Sequence, residues 1–466
     1  MEAVLTMPRP SRSPQRRSVL SIALVALVAA LAGASAPASA QQASASGAVG
    51  GGVFGSDAAA SAELGVDLSG ERYSLGVGGR LQWVNQHGLR SEDWDSWSER
   101  VAAIRYATYT HLPGSTDGVR ATAALGALGD AQLGHGAVIN GFTTGLDVDR
   151  RRLGAQLRVA GQRFGLEVLI DDVAAPRVGG ARGSWSHRVA EYEFTVGATA
   201  AADLSAPYTR ANAGLGDGGP DMPGDMPGDT PNTAALATRA LPMAVIDGSV
   251  GTETRAQSGR YQLAGALYTE LAAIATLAAG LHTGLAVNGR IHDTYIHSRT
   301  ELHLGTDEYL PSWVGPLYER DRGALGVDAA PTQMEHATQL DRARAGGLGG
   351  LGGQLALALA QPGVGELAIA YHHRDARPNL ATVRLSAPYR DAVQGALWAA
   401  IEPAGGARTF ALELRVKLPQ RMFVRADAAR QYRHLGGLDP DRPAARPWWI
   451  ATLAVGAAVD FATAAR

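Results

Sequence analysis

His282, His292, His297 and His303 crowd into one short stretch and are the densest group of potential metal ligands in the chain. Imidazoles carried on a strand reach one ion only from the same face, which demands even spacing. His282 with His292, and His297 with His303, meet that rule, yet at 3.3 Å per residue they stand about 33 and about 20 Å apart along a strand. A shared ion would therefore need convergence across strands, and the histidines otherwise read as lumen or loop residues; His372-His373 sit together without adding a third ligand. Gly347-Leu348-Gly349-Gly350-Leu351-Gly352 matches the dinucleotide fingerprint in form, but that motif needs a strand before it and a helix after it. Here Asp341-Arg342-Ala343-Arg344 precedes and the alternating Leu355, Leu357, Leu359 follow, so it reads as a glycine-rich strand entrance. For hydrolysis, the suggestive groups are Ser184-Trp185-Ser186-His187 and Asp171-Asp172. A nucleophilic serine needs an oriented base and oxyanion donors, and adjacent carboxylates at a strand end point to opposite faces. The aspartates between Asp221 and Asp229 lack the spacing of a calcium loop. The expectation is a protein that is not an enzyme, with no cofactor, no catalytic residue and no resident metal.

The elements that position these residues begin with an export signal. Arg9, Arg12, Arg16 and Arg17 precede an apolar run from Val19 to Ala32, and Ala38-Ser39-Ala40 supplies the small residues of a cleavage site. Residues 1–40 are thus expected to be a cleaved signal peptide. The mature chain carries a charge of about −5, which excludes a basic nucleic-acid binder. Without cysteine there are neither disulfides nor thiolate metal sites. Residues 41–70, beginning Ala, Ser and Gly with little else, read as a flexible periplasmic leader.

From about Glu71 the hydrophobic period becomes two. Tyr73, Leu75, Val77, Leu81 and Trp83 share one face against Ser74, Arg80 and Gln82. The same alternation returns at Leu153–Val159, Tyr261–Leu271, Phe410–Leu418 and, almost without fault, Trp449–Phe461. The Leu271–Val287 run is short of the ~20 residues a membrane helix requires and resolves better as strands. Segments of roughly 9–13 residues suit tilted strands crossing a bilayer, where soluble strands run about 5–6. Counted back from the C-terminus, connections alternate between long and tight: 433–447 outside, 418–421 inside, 402–407 outside, 389–392 inside, 372–379 outside, 361–365 inside and 305–349 outside. Upstream, 85–100, 129–151, 173–189 and 213–241 are expected to be external, with turns near Pro113–Gly118 and Gly161–Arg163 inside. The fold class is an all-β, closed antiparallel transmembrane barrel over 71–466, of about 18 strands with 16 as the alternative.

Charged residues on the less apolar faces are the candidate lumen lining: Arg80, Arg158, Arg260, Glu270, Glu413, Arg415, Lys417 and Arg425, with Asp427 beside them. Both signs occur, so the pattern names no preferred ion. Tyr309–Tyr318 is unusually aromatic for a loop and offers a mouth constriction, a rim contact or an exposed recognition patch. With the signal ending Ala38-Ser39-Ala40, the alternating strands and a last strand closing on Phe461, the chain resembles Gram-negative outer-membrane β-barrel proteins of the porin-like type. In that resemblance the aromatic ends the chain, whereas Ala462–Arg466 follow here. The likeness implies a place in the outer membrane, with lipid around the barrel, barrel-assembly machinery during biogenesis and small solutes in the lumen. It leaves open a plugged barrel whose loops bind a partner, and an outer-membrane hydrolase.

Overall fold

A computed structural model describes residues 42–462 apart from 86–87, 91–99, 102, 114–117, 146–151, 210–235, 256–260, 276, 323–337, 345–346, 348, 374–378, 390–391, 403–407 and 435–444. The signal-peptide expectation and the Asp repeat at 221–229 lie outside the described residues. The strands are β1 (Gln42–Phe54), β2 (Asp57–Ser69), β3 (Tyr73–Val84), a two-residue β4 (Gly88–Leu89), β5 (Ile104–His111), β6 (Arg120–Gly126) and β7 (Gly154–Ala160). There follow β8 (Phe164–Ile170), β9 (Val178–Val189), β10 (Tyr192–Thr209), β11 (Leu236–Arg255), β12 (Tyr261–Ile274), β13 (Ala278–Ile291) and β14 (Thr294–Gly305). The last are β15 (Gly350–Gln361), β16 (Gly365–His373), β17 (Leu380–Tyr389), β18 (Val393–Ile401), β19 (Arg408–Lys417), β20 (Met422–His434) and β21 (Ala445–Ala462). Two short helices, α1 (Tyr318–Asp321) and α2 (Gln339–Arg344), lie between β14 and β15.

β4 folds back on the end of β3, and the other twenty strands pair antiparallel, each with its chain neighbour, until β21 pairs with β1. Closure leaves no unpaired backbone edge, the condition for a sheet in hydrocarbon. Twenty strands spaced about 4.8 Å apart and tilted about 40° give a backbone radius of about 20 Å. Leu64, Leu81, Leu267, Leu285, Leu302, Leu355 and Leu453 stand exposed on the outer face as a lipid-facing surface. Trp83 and Trp449 mark that surface toward one rim, and Phe164, Trp185, Tyr192 and Tyr261 toward the other, as aromatic belts do. One end is closed by tight turns, with Ala190 and His292 taking positive φ between paired strands. Short turns of this kind mark the periplasmic side of such barrels, and the parity expected from the tight connections holds around the sheet.

Three expectations are corrected. Residues 41–70 are not a leader: 42–54 and 57–69 are β1 and β2, paired with β21 and β3. The count from residue 71 onward reached about 18 strands, and these two bring it to twenty. β1 is small on both faces because it lies against β21 at the seam; a Cβ at Gly50 would fall 2.5 Å from the Leu453 carbonyl oxygen, and one at Gly52 would clash with that of Ala451. The external connections expected at 173–189 and 213–241 are shorter than supposed, because β9 begins at Val178 and β11 at Leu236.

Candidate functional site

Two external connections fold into the barrel instead of standing above it. In the connection between β6 and β7, Ala131 and Phe142 exchange backbone hydrogen bonds of 2.8 and 3.0 Å, closing a small hairpin. In the connection between β14 and β15, the Val314 N–H donates to the Val138 carbonyl at 2.9 Å and the Asn140 N–H to the Val314 carbonyl at 3.1 Å, so the two segments form one small sheet. Tyr309, Phe142, Ile139, Val314 and Leu340 are wholly buried, against Leu169, Val178, Leu241 and Ile274 of the wall. The aromatic stretch 309–318 is therefore neither a rim contact nor an exposed patch. Tyr318 hydrogen-bonds Asp203, which also holds Arg322 at 3.1 Å, and the Gln339 amide donates to the Trp313 carbonyl at 2.8 Å.

The hairpin reaches across the lumen. From the β6–β7 side, Asp130 meets Arg384 of β17 at 3.2 Å, nearly half-way round the barrel. On the way the His135 N–H donates to Glu270 Oε1 at 3.3 Å and its ring stacks on Tyr268 at 4.1 Å between centroids. Asn140 donates to Gln354 at 2.9 Å, and Gln431 of β20 donates to the Gly145 carbonyl at 3.0 Å. Burial and the neighbouring Arg182 and Arg299 guanidinium groups, against the opposing pull of Asp247, lower the His135 pKa to about 4, so the ring is neutral at neutral pH. Burial likewise raises the Tyr309 hydroxyl far above its ordinary value.

Beneath the inserted segments the wall presents a row of directly opposed residues: Asp247, Glu270, His282, His303 and Gly352. Arg182 clamps Asp247 through hydrogen bonds of 3.1 and 2.6 Å and reaches Glu167 at 3.2 Å. Glu301 accepts from the Tyr268 hydroxyl at 2.7 Å, pairs with Arg299, and faces His282 Nδ1 at 2.8 Å.

The sector away from this buried region is charged and hydrated. Arg425 on β20 reaches Glu63 on β2 at 2.6 Å, passing over β21 and β1, a span that only the concave face allows. It also donates to Asp427 at 3.0 Å. Arg80 stands opposite Glu63, and Arg105 lies 3.8 Å from Asp67 with side chains 40 and 29% exposed. A bulge in the β3–β5 pairing turns Arg105 and Tyr106 toward the same side, and the Tyr106 hydroxyl donates to Asp67 at 2.8 Å. Arg415 lies over the Phe423 ring at 3.9 Å, with Glu413 and Lys417 exposed on the same face.

The sequence candidates thus separate into distinct places. Arg80, Glu413, Arg415, Lys417 and Arg425 fall in the hydrated sector, and Arg158 stands opposite Glu167. Glu270 instead supports the inserted hairpin, and Arg260 lies outside the described residues. Strand-by-strand alternation could not reveal the lumen-crossing contacts of Asp130, His135, Asn140, Arg182 and Gln354. Ser184 and Ser186 lie on the face opposite His187, whose ring stacks on Trp185, so no serine–histidine dyad forms there. Asp171 accepts backbone N–H groups of Arg177 and Val178, both at 2.8 Å, and Asp172 that of Ala174 at 2.9 Å; both shape a turn. The glycine run leads from α2 into β15, the reverse of the order a pyrophosphate needs.

No protein-family model matches the chain, and no curated protein matches it. Among solved structures it is similar to OpdK of Pseudomonas aeruginosa, crystallised with vanillate, at 10% identity over 91% of this chain and 99% of that one, TM-score 0.30. It is similar to OccAB3 of Acinetobacter baumannii at 8% identity over 91% and 99%, TM-score 0.30. Wzi of Escherichia coli, a carbohydrate-binding β-barrel involved in group 1 capsule assembly, gives 10% identity over 97% and 90%, TM-score 0.29. Likenesses this loose carry no argument, and the class rests on the barrel itself. The closed sheet with its apolar outer surface and polar inner one defines an outer-membrane β-barrel of the porin-like type.

Proposed function

We propose that this barrel is a passive channel for small hydrophilic solutes, narrowed by the two inserted segments and lined beside them by Arg80, Arg105, Arg415, Arg425, Glu63 and Asp67. The observation that carries the reading is the contrast between the two halves of the wall. One half is apolar or buried under the inserted segments, and the other keeps its charged side chains in contact with solvent. Barrels of 16–18 strands hold an aqueous channel and those of 22 a plugged lumen, so twenty strands with a partial obstruction fit a narrowed passage. The reading assigns no catalytic residue. Export through a cleaved signal and insertion by barrel-assembly machinery belong to the same proposal. Purified protein in planar bilayers decides the matter: stepwise ion currents are expected. A membrane that stays silent after verified insertion replaces the channel by a plugged barrel that acts through its external loops.

A further inference from the structure

Among the described residues, a single group of potential metal ligands converges, namely His282, Glu301 and His303. His282 and His303 stand directly opposite each other on β13 and β14, and Glu301 lies two residues along β14 on the same face. Their ligand atoms lie within 4.8 Å of one another, and the residues are 1, 4 and 7% exposed. We propose that these three residues bind a divalent transition-metal ion of the zinc kind within the inner wall, where the Tyr309 segment docks.

The surrounding hydrogen bonds favour this. Ligating imidazoles ordinarily have their second nitrogen held, and ligating carboxylates their second oxygen. His282 Nε2 lies 2.6 Å from the Tyr309 hydroxyl, which leaves Nδ1 directed at Glu301. Glu301 Oε2 receives Tyr268 and Arg299, which leaves Oε1 directed at His282. Nδ1 and Oε1 thus face each other at 2.8 Å, the pair an ion would share, with the His303 ring 5.3 Å from that of His282. His303 has room because its partner across the ladder is glycine: a Cβ at Gly352 would collide with the imidazole.

An independent observation comes from Glu270. It stands opposite His282 in the ladder, is 1% exposed, and its Oε2 has no hydrogen-bond partner. A buried carboxyl oxygen without a partner is costly, and a cation held at the adjacent ladder position would lower that cost through its charge. Two imidazoles and a carboxylate suit zinc, cobalt or nickel, whereas calcium and magnesium require oxygen ligands throughout. With zinc–ligand distances of about 2.1 Å the ligand atoms would stand about 3.4 Å apart, so His282 Nδ1 and Glu301 Oε1, now at 2.8 Å, would open slightly while the spacings to His303 stay within the present 4.8 Å. Through the His282–Tyr309 contact the ion would also fasten the inserted segment to the wall.

The test uses the full-length barrel in detergent, stripped with a chelator, freed of it and titrated with zinc alone. Close to one equivalent is expected, with two histidine nitrogens in the X-ray absorption fine structure of the zinc complex. His303→Gln is expected to bind at least about tenfold more weakly, whereas His111→Gln, at an exposed strand end, binds as the wild type does. A wild-type barrel that takes up no zinc overturns the proposal, as does a zinc complex without histidine ligands or unchanged affinity in His303→Gln. The first two outcomes need no variant to fold.

Discussion

Among single residues, the largest effect is expected where a charge is both buried and shared. Arg182 is 9% exposed and Asp247 1%, and the guanidinium serves Asp247 and Glu167 together. Removing one partner of a buried pair strands the other without compensation, at a cost of about 3–5 kcal/mol. Arg182→Ala should lower unfolding stability in urea by about that amount, and adding Asp247→Ala should restore part of it. An equal or greater loss in the double variant would mean that the pair itself is not the source. His135 makes a different prediction, in pH. Its pKa in the docked hairpin is about 4, below the ordinary histidine value of 6.5, so the released form binds the proton more readily. The docking contributed by a neutral ring is fully present above pH 6.5 and declines as pH falls toward about 4. Asp130 works in the opposite sense, because partial desolvation inside the lumen and the nearby Glu366 carboxylate raise its pKa despite Arg384. The His135 contribution is therefore isolated by comparison with His135→Phe, which keeps a ring on Tyr268. Current fluctuations in the wild type should grow between pH 6.5 and 4.5 more than in the variant; identical profiles would exclude His135 as the acid-sensitive contact.

At the level of elements, the strands were legible wherever one face is greasy and the other polar, since a period of two then has amplitude. β1 has little amplitude, because Gly50 and Gly52 lie tight against β21 and residues 43–48 are all Ala, Ser or Gly. β2 held a readable signal, with Leu64, Val66 and Leu68 outward against Glu63, Gly65 and Asp67, yet followed too closely on a small-residue stretch to be separated from it. The inserted segments left a subtler trace. Inner positions Leu241, Met243, Val245, Ala272 and Ile274 are apolar although they face the lumen. A strand apolar on both sides is covered on both, so the mostly apolar Leu271–Val287 run was reporting a lid inside the barrel. The identity of that lid stayed hidden because its bonds join residues as much as 286 positions apart, such as Tyr318 to Asp203, Asn140 to Gln354 and Gln431 to Gly145. Since the wall is closed by its own hydrogen bonds, replacing residues 130–142 by a short Gly-Ser linker should leave a folded barrel. Its single-channel conductance should rise severalfold, because conductance follows the open cross-section. An unchanged conductance would place the narrowest point elsewhere.

For the whole molecule the governing quantity is the charge of the hydrated sector. Arg80, Arg105, Arg415 and Arg425 are set against Glu63, Asp67, Glu413 and Asp427, with Lys417 at the periplasmic end of β19. Charges so nearly balanced predict a weak preference between anions and cations. They also predict that a single reversal is felt by ions passing near the wall, within the Debye length of about 10 Å at 0.1 M salt. Glu413 is the position at which to make it. Its carboxylate stands directly opposite Asp427, a like-charged cross-strand pair that costs stability. Glu413→Lys removes that repulsion, so the barrel is not expected to weaken. Reversal potentials measured across a potassium chloride gradient should move toward anion preference, more at low salt than at high, because screening suppresses the change. No displacement at low salt would show that the ion path bypasses β19, and the channel would then have to run along the β2–β5 side past Asp67 and Arg105.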